Sequence, residues 1–118
     1  MLRRVRRHRA DEDVWFHFEL DDEGWVTRHV ELFGPDLTPR VAASMREWFI
    51  ELEDGGIDSY QRRFGVLAEV VLSPADLLDW EPVEADEFER CWSRARSHLG
   101  AVAHLDAEGR GRGAGQAG

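Results

Sequence analysis

Residues 14–33, VWFHFELDDEGWVTRHVELF, constrain this chain more than any other stretch, because they can hardly be anything but two strands joined by a tight turn. Val14, Phe16, Phe18 and Leu20 alternate with Trp15, His17 and Glu19; Val26, Val30 and Leu32 alternate with Thr27, His29 and Glu31. That is the period of a pleated strand, whose successive side chains point to opposite faces. A three-residue loop, Asp22-Glu23-Gly24, with its glycine left-handed, makes Asp21 face Trp25. Counting outward pairs Leu20 with Val26, Phe18 with Arg28, Phe16 with Val30 and Val14 with Leu32. One face becomes an apolar wall interrupted only by Arg28. The other carries Trp15 opposite Glu31, His17 opposite His29 and Glu19 opposite Thr27. Slipping the register by one residue would mix the two faces, so it is rejected.

The chain has 118 residues, 42% of them hydrophobic and 12 aromatic, which suits one domain with its own core. No apolar run approaches the roughly 20 residues of a membrane-spanning helix. The first ten residues, MLRRVRRHRA, are too charged for the apolar core of a secretory signal, which points to the cytoplasm. Cys91 is the only cysteine, excluding an internal disulfide and a cysteine-built zinc site.

The net charge of −9 is unevenly distributed. Residues 1–10 carry five arginines and no acid, residues 11–89 carry 22 acids against five arginines, and residues 90–118 carry five arginines against two acids. A phosphate backbone would be repelled by the acidic middle, which argues against nucleic acid as partner; a basic protein would be attracted to it.

Outside the hairpin, residues 2–9 fit an edge strand or a basic arm, since Leu2 and Val5 fall on opposite faces of a strand. Gly34-Pro35 ends the second hairpin strand. Thr38-Pro39 reads as a cap and first turn of a helix over 39–53, with Val41, Met45, Trp48, Phe49 and Leu52 as one core-facing stripe that Gly55-Gly56 terminates. A short helix over 57–64 follows, then a nearly continuous apolar strand over 66–72. Ser73-Pro74 opens a turn or short helix, and a last helix over 84–99 buries Phe88, Cys91, Trp92, Ala95 and Leu99. Residues 106–118, rich in glycine, read as a disordered tail to a domain spanning 1–105. The expected fold is α+β: an antiparallel sheet of three or four strands packed by two long helices and one short helix.

The runs VRRHR, FELDDEGW, RHVELF and EADEFERCWSRA resemble a family of small bacterial domains of unknown function, with V-R-x-x-H, E-L-D-D-x-x-W, R-x-V-E and E-E-F-E-x-x-W patterns. The resemblance covers residues 2–33 and 83–95. It implies that residues 2–9 are a strand and that both ends belong to one fold; it implies no activity. Residues 38–65 depart from it as a helical insertion.

Two functional readings follow. The first is a non-enzymatic, acidic protein-binding module, immunity-like or antitoxin-like, that blocks a basic effector through a sheet face bearing Trp15, His17, Glu19, Trp25, His29 and Glu31. It needs no cofactor. The second is a small metal-dependent or ligand-processing enzyme in which His8, His17 and His29 converge on that face to hold a divalent metal. Cys91, on an apolar helix face, reads as an inert thiol.

Overall fold

The computed structural model describes the backbone of residues 1–117 and the side chains of residues 1–101. The proposed tail at 106–118 lies outside the residues with described side chains. Five strands form one antiparallel sheet: β1 (Arg3–Arg9), β2 (Val14–Leu20), β3 (Val26–Phe33), β4 (Thr38–Ser44) and β5 (Glu81–Pro82), in the order β4-β3-β2-β1-β5. The helices are α1 (Met45–Asp54), α2 (Ile57–Phe64) and α3 (Ala85–Ala117), with a 3-10 turn at Asp76–Asp79. The α+β class stands, with more strands than expected and a shorter first helix.

Residues 2–9 resolve into a strand, since β1 pairs along its whole length with β2. The turn is built as its residues require. Gly24 takes φ +91°, and its N–H donates to the Asp21 carbonyl at 3.0 Å. The Asp21 carboxylate accepts from the N–H groups of Glu23 and Trp25, closing the turn with its own side chain. A Cβ on Gly24 would stand 2.4 Å from the Leu72 carbonyl oxygen, so glycine is required for space as well as for φ.

Leu20 pairs with Val26, but a bulge then inserts Thr27, and every later pair shifts by one: Glu19 with Arg28, Phe18 with His29, His17 with Val30, Phe16 with Glu31. This is the slipped register that the alternating pattern argued against. Two physical gains explain it. Arg28 leaves the apolar wall and meets Glu19, and neither face is wet, so mixing apolar and polar residues exposes nothing.

The second correction concerns residues 38–44, expected in a helix and found in β4. Gly34 at φ +77° and Leu37 at φ +53° make a tight turn, closed by the Leu37 N–H to the Gly34 carbonyl at 3.1 Å, which returns the chain alongside β3. Pro39 sits at an irregularity of this edge strand, where a missing N–H is tolerated. Val41, Ala42, Ala43 and Ser44 are all buried because the sheet is covered on both sides, which erases the alternation that would have marked a strand. Helix α1 begins later, where the Ser44 hydroxyl accepts the Glu47 N–H at 3.1 Å. Residues 38–65 are thus a strand followed by two helices.

A third expectation fails at residues 66–72. Only Val71 makes a ladder contact, an isolated bridge to Trp25. The position beside β3 already belongs to β4, so this segment instead runs over the sheet, its Ala68 N–H donating to His29 Nδ1 and its Leu72 N–H to the Gly24 carbonyl.

Two apolar layers result. Val5, Phe18, Leu20, Val26, Val41 and Ala43 pack under α1, α2 and the segment after it, through Tyr60, Leu67, Trp48 and Phe64. On the opposite face, Val30, Leu32 and Ala42 pack against Ala95, Cys91, Trp92 and Leu99 of α3.

Candidate functional site

The bulge decides the fate of the expected site. His17 faces α3, whereas His29, directly opposite Phe18, faces the other layer, its ring 4.8 Å from that of Phe18 in an edge contact. His8 stacks on Trp15 near the end of β1, with ring centroids 4.7 Å apart, and its Nε2 lies 2.9 Å from Asp13. The three imidazoles therefore do not converge. Among the described residues no three His, Cys, Asp or Glu side chains are grouped to hold a metal ion.

Of the six residues offered as a binding face, four are buried: His17 is 7% exposed, Glu19 4%, His29 4% and Glu31 9%. Trp15 is half-buried and Trp25 exposed. Trp25 adjoins a cleft of about 470 Å³ lined by Leu20, Asp21, Gly24, Leu72, Pro74 and Leu77 among others.

Each buried carboxylate has a fixed set of donors. Arg28 grips Glu19 with two nitrogens, at 2.9 and 2.6 Å, and reaches Glu89 of α3 with the same guanidinium. Its plane lies over the rings of Phe88 and Trp92, 4.9 and 5.1 Å from their centroids. Thr27, the bulged residue, donates its hydroxyl to Glu19 at 2.9 Å, so the bulge supplies a ligand to the ion pair it creates. Burial alone would raise the Glu19 carboxyl, but the hydrogen bonds from Arg28 and Thr27 outweigh it and hold it below the usual carboxylate range.

On the other face Glu31 lies 2.8 Å from His29 Nε2 and accepts from Arg40 at 2.8 and 3.1 Å. The His29 contact is close but lies off the direction of the ring N–H, so it is an electrostatic contact rather than an aligned hydrogen bond. Because His29 Nδ1 accepts the Ala68 N–H, the ring hydrogen of the neutral imidazole sits on Nε2. Burial raises the Glu31 carboxyl, and His29 and Arg40 more than reverse it.

A third knot joins α1, α2, α3 and β4. Arg96 donates to the Ala42 carbonyl at 2.7 Å and to both oxygens of Glu47, and stacks on Phe64 and Trp92. The Tyr60 hydroxyl donates to Glu47 and accepts the Ser44 N–H, each at 2.8 Å. Ala42 and Ser44 lie on an edge strand, so Arg96 and Tyr60 occupy edge groups that could otherwise recruit another chain. Burial, followed by the neighbouring Glu47 carboxylate, pushes the Tyr60 phenol up to about 12.

These are carboxylates saturated by arginine, not carboxylates free to move protons. Burial pushes the Cys91 thiol up to about 11, which leaves almost no thiolate at neutral pH.

His17 is the exception to this pairing. Its Nδ1 is buried without a hydrogen-bond partner, and burial, reinforced by the charge of Arg6, lowers its pKa to about 4. Between 6.5, the value of a free histidine, and about 4, the unfolded chain binds a proton that the folded one refuses. Stability is therefore full above pH 6.5 and falls as pH drops toward 4, by about 3 kcal/mol in all. Glu19, Glu31 and Glu47 add a separate loss at lower pH: their stabilisation is present above the unfolded value of 4.5 and disappears as pH falls through their lowered folded values. His17→Leu is expected to flatten the stability profile between pH 6.5 and 4.5 while leaving the loss below 4.5. Urea titrations at half-unit pH steps test this, and an unchanged slope in the variant would rule out His17 as its source.

No family model, no curated protein and no solved structure matches this chain. Among the described residues, no helix is long and apolar enough to cross a membrane.

Proposed function

We propose that this protein is a non-enzymatic acidic binding module that docks a basic protein partner, as an immunity or antitoxin-like factor does when it blocks a basic effector. The observation that supports this reading is how the few cations of the acidic middle are used. Of the five arginines in residues 11–89, Arg28 is committed to Glu19 and Glu89, and Arg40 to Glu31. Arg46, Arg62 and Arg63 stand exposed, so three unburied cations face a larger number of exposed acids in this segment. The acids left outside, among them Glu23, Glu53, Asp54, Asp58, Glu69, Asp76 and Asp79, are exposed and form no ion pair among the described residues. A surface of this kind accelerates encounter with a basic partner and repels nucleic acid. The resemblance to small bacterial domains concerns fold and adds no activity.

Affinity capture of the whole chain from lysate of its own host, at low and high salt, tests the reading. A stoichiometric basic protein is expected at low salt and should be lost as ionic strength shortens the range of the attraction. Absence of any salt-sensitive partner would overturn the module.

A further inference from the structure

Helix α1 is the element whose sequence and placement agree least. Met45, Phe49 and Leu52 recur at i, i+4 and i+7, beside Trp48, and form the stripe of a core helix. The fold uses only part of it: Met45 and Trp48 join the core, whereas Phe49 remains 55% exposed and Leu52 49%, and no residue of α1 is fully buried. Ile50, also exposed, flanks the stripe. Single exposed apolar residues are ordinary, but Phe49 and Leu52, three positions apart, share one face of the helix and form a small patch there.

The charges at the C-terminal end of α1 say what would cover that patch, the one arginine of the helix, Arg46, standing in its first turn. Glu51, Glu53 and Asp54 crowd its last turn, where the helix dipole is already negative and where no basic residue stands. Acids there cost the isolated protein stability, and among the described residues no arginine bonds to Glu53 or Asp54. A cationic group brought from outside would relieve both the repulsion and the unfavourable dipole. A second copy of this acidic chain would bring more negative charge to the same place.

We infer that the Phe49–Leu52 face of α1 is the docking surface for a basic amphipathic helix of a protein partner, with apolar side chains on Phe49 and Leu52 and arginine or lysine at Glu53 and Asp54. This rests on the acidic-module reading and gives it a location. The mode is helix against helix, read by anchors at helical spacing.

The test uses the full ¹⁵N-labelled chain and a leucine–arginine peptide of about 18 residues, patterned so that its leucines form one stripe when helical. A glutamate-for-arginine version is the control. Amide shifts are expected to concentrate on Met45–Asp54, with the acidic peptide silent. Phe49→Ser/Leu52→Ser should weaken binding about tenfold or more, as loss of two central anchors does. Both side chains are about half buried and Phe49 packs edge-on against Trp48, so the variant should lose some thermal stability while keeping the parent's amide spectrum outside α1. Glu53→Gln/Asp54→Asn should instead reduce the salt dependence.

Shifts mapping to the hairpin turn or to β1, unchanged affinity in Phe49→Ser/Leu52→Ser, or no binding at all would overturn the α1 assignment. So would a dimer of the parent chain that this variant dissolves, because a second copy would then be the occupant. A host partner retained equally by parent and variant leaves the module standing and removes α1 from it. If the parent chain itself captures no salt-sensitive partner, the module falls with it.

Discussion

Arg28→Leu is expected to destabilise the protein by about 3–5 kcal/mol at pH 7, the usual cost of leaving a buried charge without its partner. Glu19 has a side chain only 5% exposed, and with Arg28 gone it keeps the Thr27 hydroxyl and a looser contact of 3.4 Å to Arg4. Its carboxyl would then be governed by burial and rise, so the deficit should shrink as pH falls and the group protonates. The double variant Glu19→Leu/Arg28→Leu should recover most of the loss, because an apolar pair of similar size removes both charges from a dry site. Urea titrations of the two singles and the double at pH 7 and pH 5 measure the coupling. A loss below 1 kcal/mol in Arg28→Leu would mean that water or Arg4 already satisfies Glu19, and that the bulge at Thr27 has some cause other than the ion pair.

Phe88→Ala is expected to cost a comparable 3–5 kcal/mol, by removal of transfer energy and creation of a cavity. Phe88 is wholly buried at the start of α3, and the Arg28 guanidinium lies over its ring, so it supports both the apolar layer and the ion pair. Phe88→Leu should cost less, since it retains most of the volume but lacks the face on which the cation rests. The effects of Phe88→Ala and Arg28→Leu should not add, because each removes part of the other's contact. Strict additivity in the denaturation midpoints would place the guanidinium–ring contact outside the energetics of the fold. These two positions test whether α3 is pinned to the sheet through the Glu19–Arg28–Phe88 stack.

The site's outcome follows from the same stack. Trp15, His17, Glu19, Trp25, His29 and Glu31 are legible as an unusual set, but alternation leaves open whether their face is covered, because it reports on water only when one face of a sheet is wet. With α3 on one side and α1, α2 and residues 66–80 on the other, polar residues inside the sheet are held by arginines drawn from distant positions. Arg96 reaches Glu47 across 49 residues of sequence, and Arg28 reaches Glu89 across 61. No local spacing announces such pairs. The acidic end of α1 is visible in the sequence, yet its stripe reads as core, because helical periodicity says which side chains share a face and not whether anything covers it.

What the sequence determined by itself was local: the Asp21–Gly24 turn, whose carboxylate and glycine act within five residues; the strands on either side of it; helix α2; and the face of α3 bearing Phe88, Trp92 and Ala95. The tertiary structure alone decided the register beyond Thr27, the strand at 38–44, the separation of His17 from His29 and the exposure of Phe49 and Leu52. The physical reason is common to all four. Turn and cap chemistry is complete within a few neighbouring residues, whereas burial is a property of whatever packs on top, and here both faces of the sheet are covered by elements far away in the chain.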